Sequence, residues 1–178
     1  MKKILSIFLA LTLATASFAQ TTKIPQRLEL VQLEDDNGST ELEVFNMPEE
    51  GQNHYFLSVG HLGIGDDIIQ FNIDPIFELF IPLGDTVSDA LVKLQEFQGL
   101  FKGMPGDCLE TEGCLSAAFP KGELEPVQVA YRKLILSRML EFSVQRGDYI
   151  RSTTIPRASF NSMISSLKFY QKLHPNEP

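Results

Sequence analysis

Residues 27–46, RLELVQLEDDNGSTELEVFN, carry two alternating apolar–polar runs on either side of Asn37-Gly38, and that pattern decides the fold class. Strict alternation marks a half-buried strand. Asn-Gly is the dipeptide best suited to a type I′ hairpin, because both central positions need positive φ. A turn on Asn37-Gly38 sets the register. Leu33 then faces Leu42 and Val31 faces Val44 on one side, while Glu34 faces Glu41 and Gln32 faces Glu43 on the other. Like charges directly opposite are mildly destabilising, so the second side is read as solvated. Leu30 and Phe45 add apolar bulk near the base of the hairpin.

Downstream, HYFLSVG (54–60) predicts a third strand with Tyr55, Leu57 and Val59 on one face. A glycine-rich loop over 60–65 leads into DDIIQFNI (66–73). Asp74-Pro75 interrupts there, since proline cannot donate to a ladder, and IFELFIPL (76–83) follows as another strand. Residues 86–101 switch period. Val87, Ala90, Leu91, Leu94, Phe97 and Phe101 recur at the three-and-four spacing of a buried helical stripe. Thr86 and Asp89 make a capping box with Asp in place of Glu. Residues 102–114 read as a loop, and 115–126 as a connection without defined structure.

Residues 127–145 fit two patterns. As a helix, the stripe Val127, Tyr131, Leu134 runs into Arg138. As strands, Val127, Val129 and Tyr131 share one parity and Leu134, Leu136, Leu140, Phe142 and Val144 the other, reconciled by a bulge or turn near Arg132-Lys133. The strand reading is preferred. A three-residue turn at Arg146-Gly147-Asp148 then returns the chain as GDYIRSTTI and puts Phe142, Val144 and Ile150 on one face. A second amphipathic helix spans 157–173, with Phe160, Met163, Ile164, Leu167 and Tyr170 as its stripe. The expected fold is one α+β domain over 27–174: a mostly antiparallel sheet of about seven or eight strands with two amphipathic helices packed on it. Strands, helix, strands, helix gives two halves of similar plan without a visible sequence repeat.

Upstream of the hairpin, MKKILSIFLALTLATASFA (1–19) reads as a secretory signal peptide. Lys2 and Lys3 form the positive region, 4–14 the apolar region, and Ser17-Phe18-Ala19 the cleavage site. A membrane-spanning helix takes roughly 20 apolar residues, so this stretch is too short for an anchor. Cleavage leaves a chain that starts at Gln20 with a flexible arm over 20–26, exported to the periplasm or outside the cell. Removing Lys2 and Lys3 takes the basic count from 15 to 13 against 23 acids, a net charge of −10. That sign argues against nucleic acid and against a membrane as partners of the processed chain. An apolar fraction of 43% with 13 Phe argues for a packed globular domain rather than disorder.

Candidate chemistry is sparse. Cys108 and Cys114 are the only cysteines, and in an oxidising compartment an even pair within one loop reads as a disulfide. No metal site is expected, because two cysteines need two further ligands at suitable spacing. His61 with Asp66 and Asp67, beyond the glycine-rich loop, makes a ligand-binding or acid–base site on paper, with His54 on the opposite strand face unless the chain reverses. The glycines fit neither the dinucleotide fingerprint nor the phosphate-binding loop, so no cofactor is expected. Arg146-Gly147-Asp148 matches an integrin-ligand tripeptide, but those are also ordinary turn residues.

Arg138 is the sharpest single lead. On an uninterrupted strand it would share a face with Leu134, Leu136, Leu140 and Phe142. Three readings stay open: the strand breaks and releases it to solvent, it pairs with a buried carboxylate such as Glu78, or it lines a pocket and holds an anion in its planar fork. The function expected from these features is an exported bacterial binding or interaction module without catalysis, whose partner is a protein or a small molecule. The alternatives are an exported hydrolase with a dispersed site, or a subunit that homodimerises through a sheet edge.

Overall fold

The computed structural model describes residues 26–35, 38–47, 52–60, 63–64, 78–115 and 122–175. The signal-peptide reading of 1–19, His61, and the predicted strand at 66–73 with Asp66 and Asp67 lie outside them; so do residues 20–25 of the arm expected over 20–26, whose last residue, Gln26, instead opens a strand. The fold is α+β, as the period changes in the sequence require. Four strands form one antiparallel sheet in the order β1 (Gln26–Asp35), β2 (Gly38–Met47), β3 (Gln52–Gly60), β5 (Glu78–Gly84). Helix α1 (Val87–Gly99) follows, closed by a 3-10 turn (Leu100–Lys102). A second antiparallel sheet runs in the order β4 (Gly63–Ile64), β9 (Tyr149–Pro156), β8 (Arg138–Arg146), β7 (Glu125–Lys133), β6 (Cys108–Gly113), and helix α2 (Arg157–Leu173) ends the fold. Each half is a four-strand meander followed by a helix, with β4 as an excursion.

The single sheet of seven or eight strands is therefore corrected to two sheets. Among the described residues the seam between β5 and the end of β6 is one bridge: Phe80 N–H donates to the Cys114 carbonyl at 2.9 Å, and Cys114 N–H to the Phe80 carbonyl at 2.8 Å. Beside that bridge the packing is close at Gly113. A Cβ there would lie 2.8 Å from Leu79 Cδ1, 2.8 Å from Val127 Cγ2 and 3.2 Å from the Phe80 carbonyl. Both sheets enclose one core, built from alternate residues of β3 (Tyr55, Leu57, Val59), β5 (Leu79, Ile81, Leu83), β7 (Val127, Val129, Tyr131) and β8 (Leu140, Phe142, Val144). The helices fill it. The predicted stripe of α1 is buried throughout, and in α2 Phe160, Met163, Ile164 and Leu167 are buried, with Tyr170 half-buried. Phe97 meets Phe142 edge-on at 5.9 Å, a favoured aromatic geometry.

The N-terminus of α1 is capped as its sequence predicts. Thr86 Oγ1 accepts the Asp89 N–H at 3.0 Å and donates to the Asp89 carboxylate at 2.7 Å. The helices run antiparallel and are joined by Gln98 Nε2 donating to Asn161 Oδ1 at 2.8 Å and Gln171 Nε2 donating to Ser88 Oγ at 3.1 Å.

Several local expectations need correction. The first hairpin pairs Asp35 with Gly38, Gln32 with Glu41 and Val31 with Leu42, so its turn falls one position earlier than Asn37-Gly38. The register is displaced by two residues, which preserves strand parity. A bulge between Glu29 and Val31 absorbs the break in alternation at Leu30-Val31. The glycine-rich connection is more than a loop, because Gly63 and Ile64 pair with Ser152 and Arg151 of the far sheet. Residues 108–113, read as loop, form β6. At the last hairpin Arg146 pairs with Tyr149, leaving a two-residue Gly147-Asp148 turn with Gly147 at φ 58°. An even loop puts Ile150 opposite Gln145 and out in solvent, 53% exposed, while Thr153 and Ile155 face inward.

Candidate functional site

The parity switch expected near Arg132-Lys133 falls later, at the β7–β8 hairpin turn over 134–137. Tyr131 pairs with Leu140 and Lys133 with Arg138. Leu134 N–H then donates to the Ser137 carbonyl at 2.8 Å, which leaves Ile135 and Leu136 as the two-residue tip. Two-residue hairpin turns favour Asn, Asp and Gly, which tolerate positive φ or bond their own backbone. Here a β-branched and a large aliphatic residue stand instead. Ile135 and Leu136 are each 99% exposed, and Leu134 is 61% exposed.

The surroundings of the tip are set by the elements packed on the hairpin. The loop before β6 is held against β7, with Gly106 N–H donating to the Tyr131 carbonyl at 2.8 Å and Tyr131 N–H to the Asp107 carbonyl at 2.9 Å. That loop carries exposed Met104 at the same end of the molecule. The 3-10 turn sits there too, its Phe101 ring 5.7 Å from that of Tyr131, and the Arg157 guanidinium lies over the Phe101 ring at 5.6 Å. At and beyond the Ala130–Glu141 pair the described charges are the cations Lys102, Arg132, Lys133, Arg138 and Arg157 and the carboxylates Asp107 and Glu141. Arg132 Nε donates to Glu141 at 2.6 Å, and Asp107 accepts the Met104 N–H at 2.8 Å. Lys133 and Arg138 face each other directly and make no ion pair with another described residue. Among the described residues, cations thus outnumber carboxylates around this apolar apex.

The residues singled out from sequence separate as follows. Arg138 opens β8 and is exposed; the strand breaks at the tip, so the uninterrupted strand that would bury it does not exist. It is not paired with Glu78, whose carboxylate accepts the Ser58 hydroxyl at 2.6 Å. Cys108 and Cys114 form no disulfide with each other. They stand at the two ends of β6, Cys108 opposite Ala130 and Cys114 opposite Phe80. Six strand residues span about 20 Å, whereas a disulfide needs Cα atoms within about 7 Å. Gly113 serves close packing there, not loop flexibility. His61, Asp66 and Asp67 lie outside the described residues. The His–Asp pair that is described joins other partners: His54 Nδ1 lies 2.8 Å from Asp85 Oδ1 and ties β3 to the entry of α1. Nothing local in the sequence announces that pair, because 31 residues separate its members and only the β3–β5 ladder brings them together.

One further concavity lies between α2 and β1, an open groove of about 390 Å³ lined by Leu30, Ser165, Ser166, Phe169, Tyr170 and Leu173. Among the described residues no group of three or more His, Cys, Asp or Glu is placed to hold a metal ion, and no helix is long and apolar enough to cross a membrane. No protein-family model matches this chain, and no curated protein or solved structure matches it.

Proposed function

We propose that the chain is an exported interaction module, working without catalysis or cofactor, that docks to its partner through the apex of the β7–β8 hairpin. One observation carries this reading: Ile135 and Leu136 are both 99% exposed at the tip of an otherwise well-packed domain. Scattered exposed aliphatics are ordinary, but three in succession at a turn serve neither turn chemistry nor solubility. Burial against a partner gives those side chains a role, because removing apolar surface from water is favourable by roughly 25 cal/mol per Å². Residues 1–19 support export, and processing predicts a native chain that starts at Gln20.

The test is a photo-crosslinking amino acid placed at position 135 in the producing cells, with a second in place of exposed Gln95 on α1 as control. Adducts to protein, lipid or a second copy from position 135 and not from position 95 support docking through the tip. Equal yields at the two positions would overturn it. Intact-mass analysis of the recovered chain tests export, and retention of Met1 would remove the localisation from the proposal.

A further inference from the structure

Resting on the docking reading above, we propose that the partner is an anionic lipid surface, with Ile135 and Leu136 entering the headgroup–acyl boundary and Lys133 and Arg138 meeting the headgroups. The argument starts from the axial order of the hairpin end. At the apex are Ile135 and Leu136, fully solvent-exposed; next comes Leu134, half-exposed; below it stand Lys133 and Arg138 as a directly opposed pair. A bilayer interface is layered the same way, with acyl chain beneath and charged headgroup above. The backbone of the two-residue tip projects about 3 Å beyond the Leu134–Ser137 pair, the rise of one strand residue, and the Ile135 and Leu136 side chains extend farther. Interfacial elements settle at a depth of about 5–10 Å.

Charge supplies the second argument. Lys133 opposite Arg138 is an unfavourable cross-strand pair in water, and no described carboxylate relieves it. Two adjacent phosphates would. Lys102 and Arg157 extend the same sign across this end, Arg132 being paired with Glu141, and exposed Met104 adds apolar surface to it. The chain as a whole carries −8, and −10 once residues 1–19 are removed, which by itself opposes an anionic membrane. Over a screening length of about 8 Å at physiological salt, however, the local cations govern the contact rather than the distant acids. A narrow convex tip also suits a fluid surface better than a protein interface, which takes about 800 Å² from each partner.

The experiment is flotation of the full chain with vesicles, either of phosphatidylcholine alone or of phosphatidylcholine with one third phosphatidylglycerol. Every variant carries the same N-terminus, so any contribution of residues 1–19 is common to all. Binding to the anionic vesicles is expected to weaken as salt rises. The double variant Ile135→Asn with Leu136→Gly installs favourable turn chemistry while deleting the apolar apex. It should melt at or above the wild-type temperature yet bind at least tenfold more weakly. Lys133→Gln and Arg138→Gln should each cost about fivefold on anionic vesicles, the effect of one basic residue near such a surface. The chain has no tryptophan, so Ile135→Trp makes a sole fluorescent reporter whose emission should shift to the blue on anionic vesicles. Failure of the wild type to float, equal flotation of the apex variant, or equal binding to both vesicle types overturns the lipid proposal. Crosslinking from position 135 to a protein, without vesicle binding, overturns the lipid partner and leaves docking through the tip standing.

Discussion

Replacing Gly113 with alanine inserts one methyl group at a close-packed point of the seam. The new Cβ would lie 2.8 Å from both Leu79 Cδ1 and Val127 Cγ2 and 3.2 Å from the Phe80 carbonyl. Carbon atoms rest at about 3.5–4.0 Å, so each side chain must retreat by roughly 1 Å. Neither has free space, since Leu79 and Val127 are completely buried, and Val127 is further held by its branched β-carbon. Overpacking of this kind costs about 1–3 kcal/mol. Restricting the unfolded chain returns about 0.4–1 kcal/mol for a Gly→Ala change. The net expectation is a loss of about 1–2 kcal/mol. With a urea m-value of about 2 kcal/mol/M, the denaturation midpoint falls by roughly 0.5–1 M. Gly99 provides the control, because an added Cβ there meets nothing within 4 Å. Gly99→Ala at the end of α1 should be neutral or stabilising by up to about 1 kcal/mol. A midpoint for Gly113→Ala equal to or above that of the wild type would refute the packing of the seam.

Thr86→Ala removes the α1 cap and should lower stability by about 1 kcal/mol, read as a fall of about 2–4 °C in Tm; an unchanged Tm would show that the cap contributes nothing. Thiol titration of unreduced, denatured protein should find both cysteines free, and in the native state exposed Cys108 should react at once while buried Cys114 waits for unfolding; complete absence of thiol would contradict the strand assignment of β6. Arg138→Leu, at an exposed position opposite Lys133, should move stability by less than about 0.5 kcal/mol, and a loss of about 3 kcal/mol in urea titrations would mean that the side chain is buried and paired after all.

Both helices were legible from period alone, because their stripes and the Thr86–Asp89 cap are local signals. So were β3, with Tyr55, Leu57 and Val59 turned to the core, and the strand pair hidden in 127–145. What escaped depended on contacts distant along the chain. Residues 108–113 carry acidic and small side chains that resemble a loop, and they become a strand only through the ladder with β7. The two sheets meet, among the described residues, at the bridge between Phe80 and Cys114, and no local pattern encodes that arrangement. The first hairpin register was missed through turn position, and the last through turn length: one residue more or less at Gly147 moves Ile150 from core to solvent. The tip escaped because Leu134, Ile135 and Leu136 look like core residues, and parity assigned Leu134 and Leu136 to the buried face. Only the position of the reversal shows them to be exposed, and the same reversal frees Arg138.

The short strand β4 bears on the order in which this chain can assemble. Nearly every other ladder joins neighbours in sequence, so hairpins and helices can form early and locally. Gly63 and Ile64 must instead wait for Ser152 and Arg151, far along the chain beyond α1, and the Phe80–Cys114 bridge must wait for α1 to cross over. Closing such loops costs entropy before any contact is gained. The rate-limiting barrier is therefore expected to precede the joining of the two meanders. Weakening the seam should hasten unfolding and leave the folding rate nearly unchanged, as interactions absent from the transition state do. Resistance to unfolding over long times would then reside in the seam, a small part of the molecule, rather than in its large core.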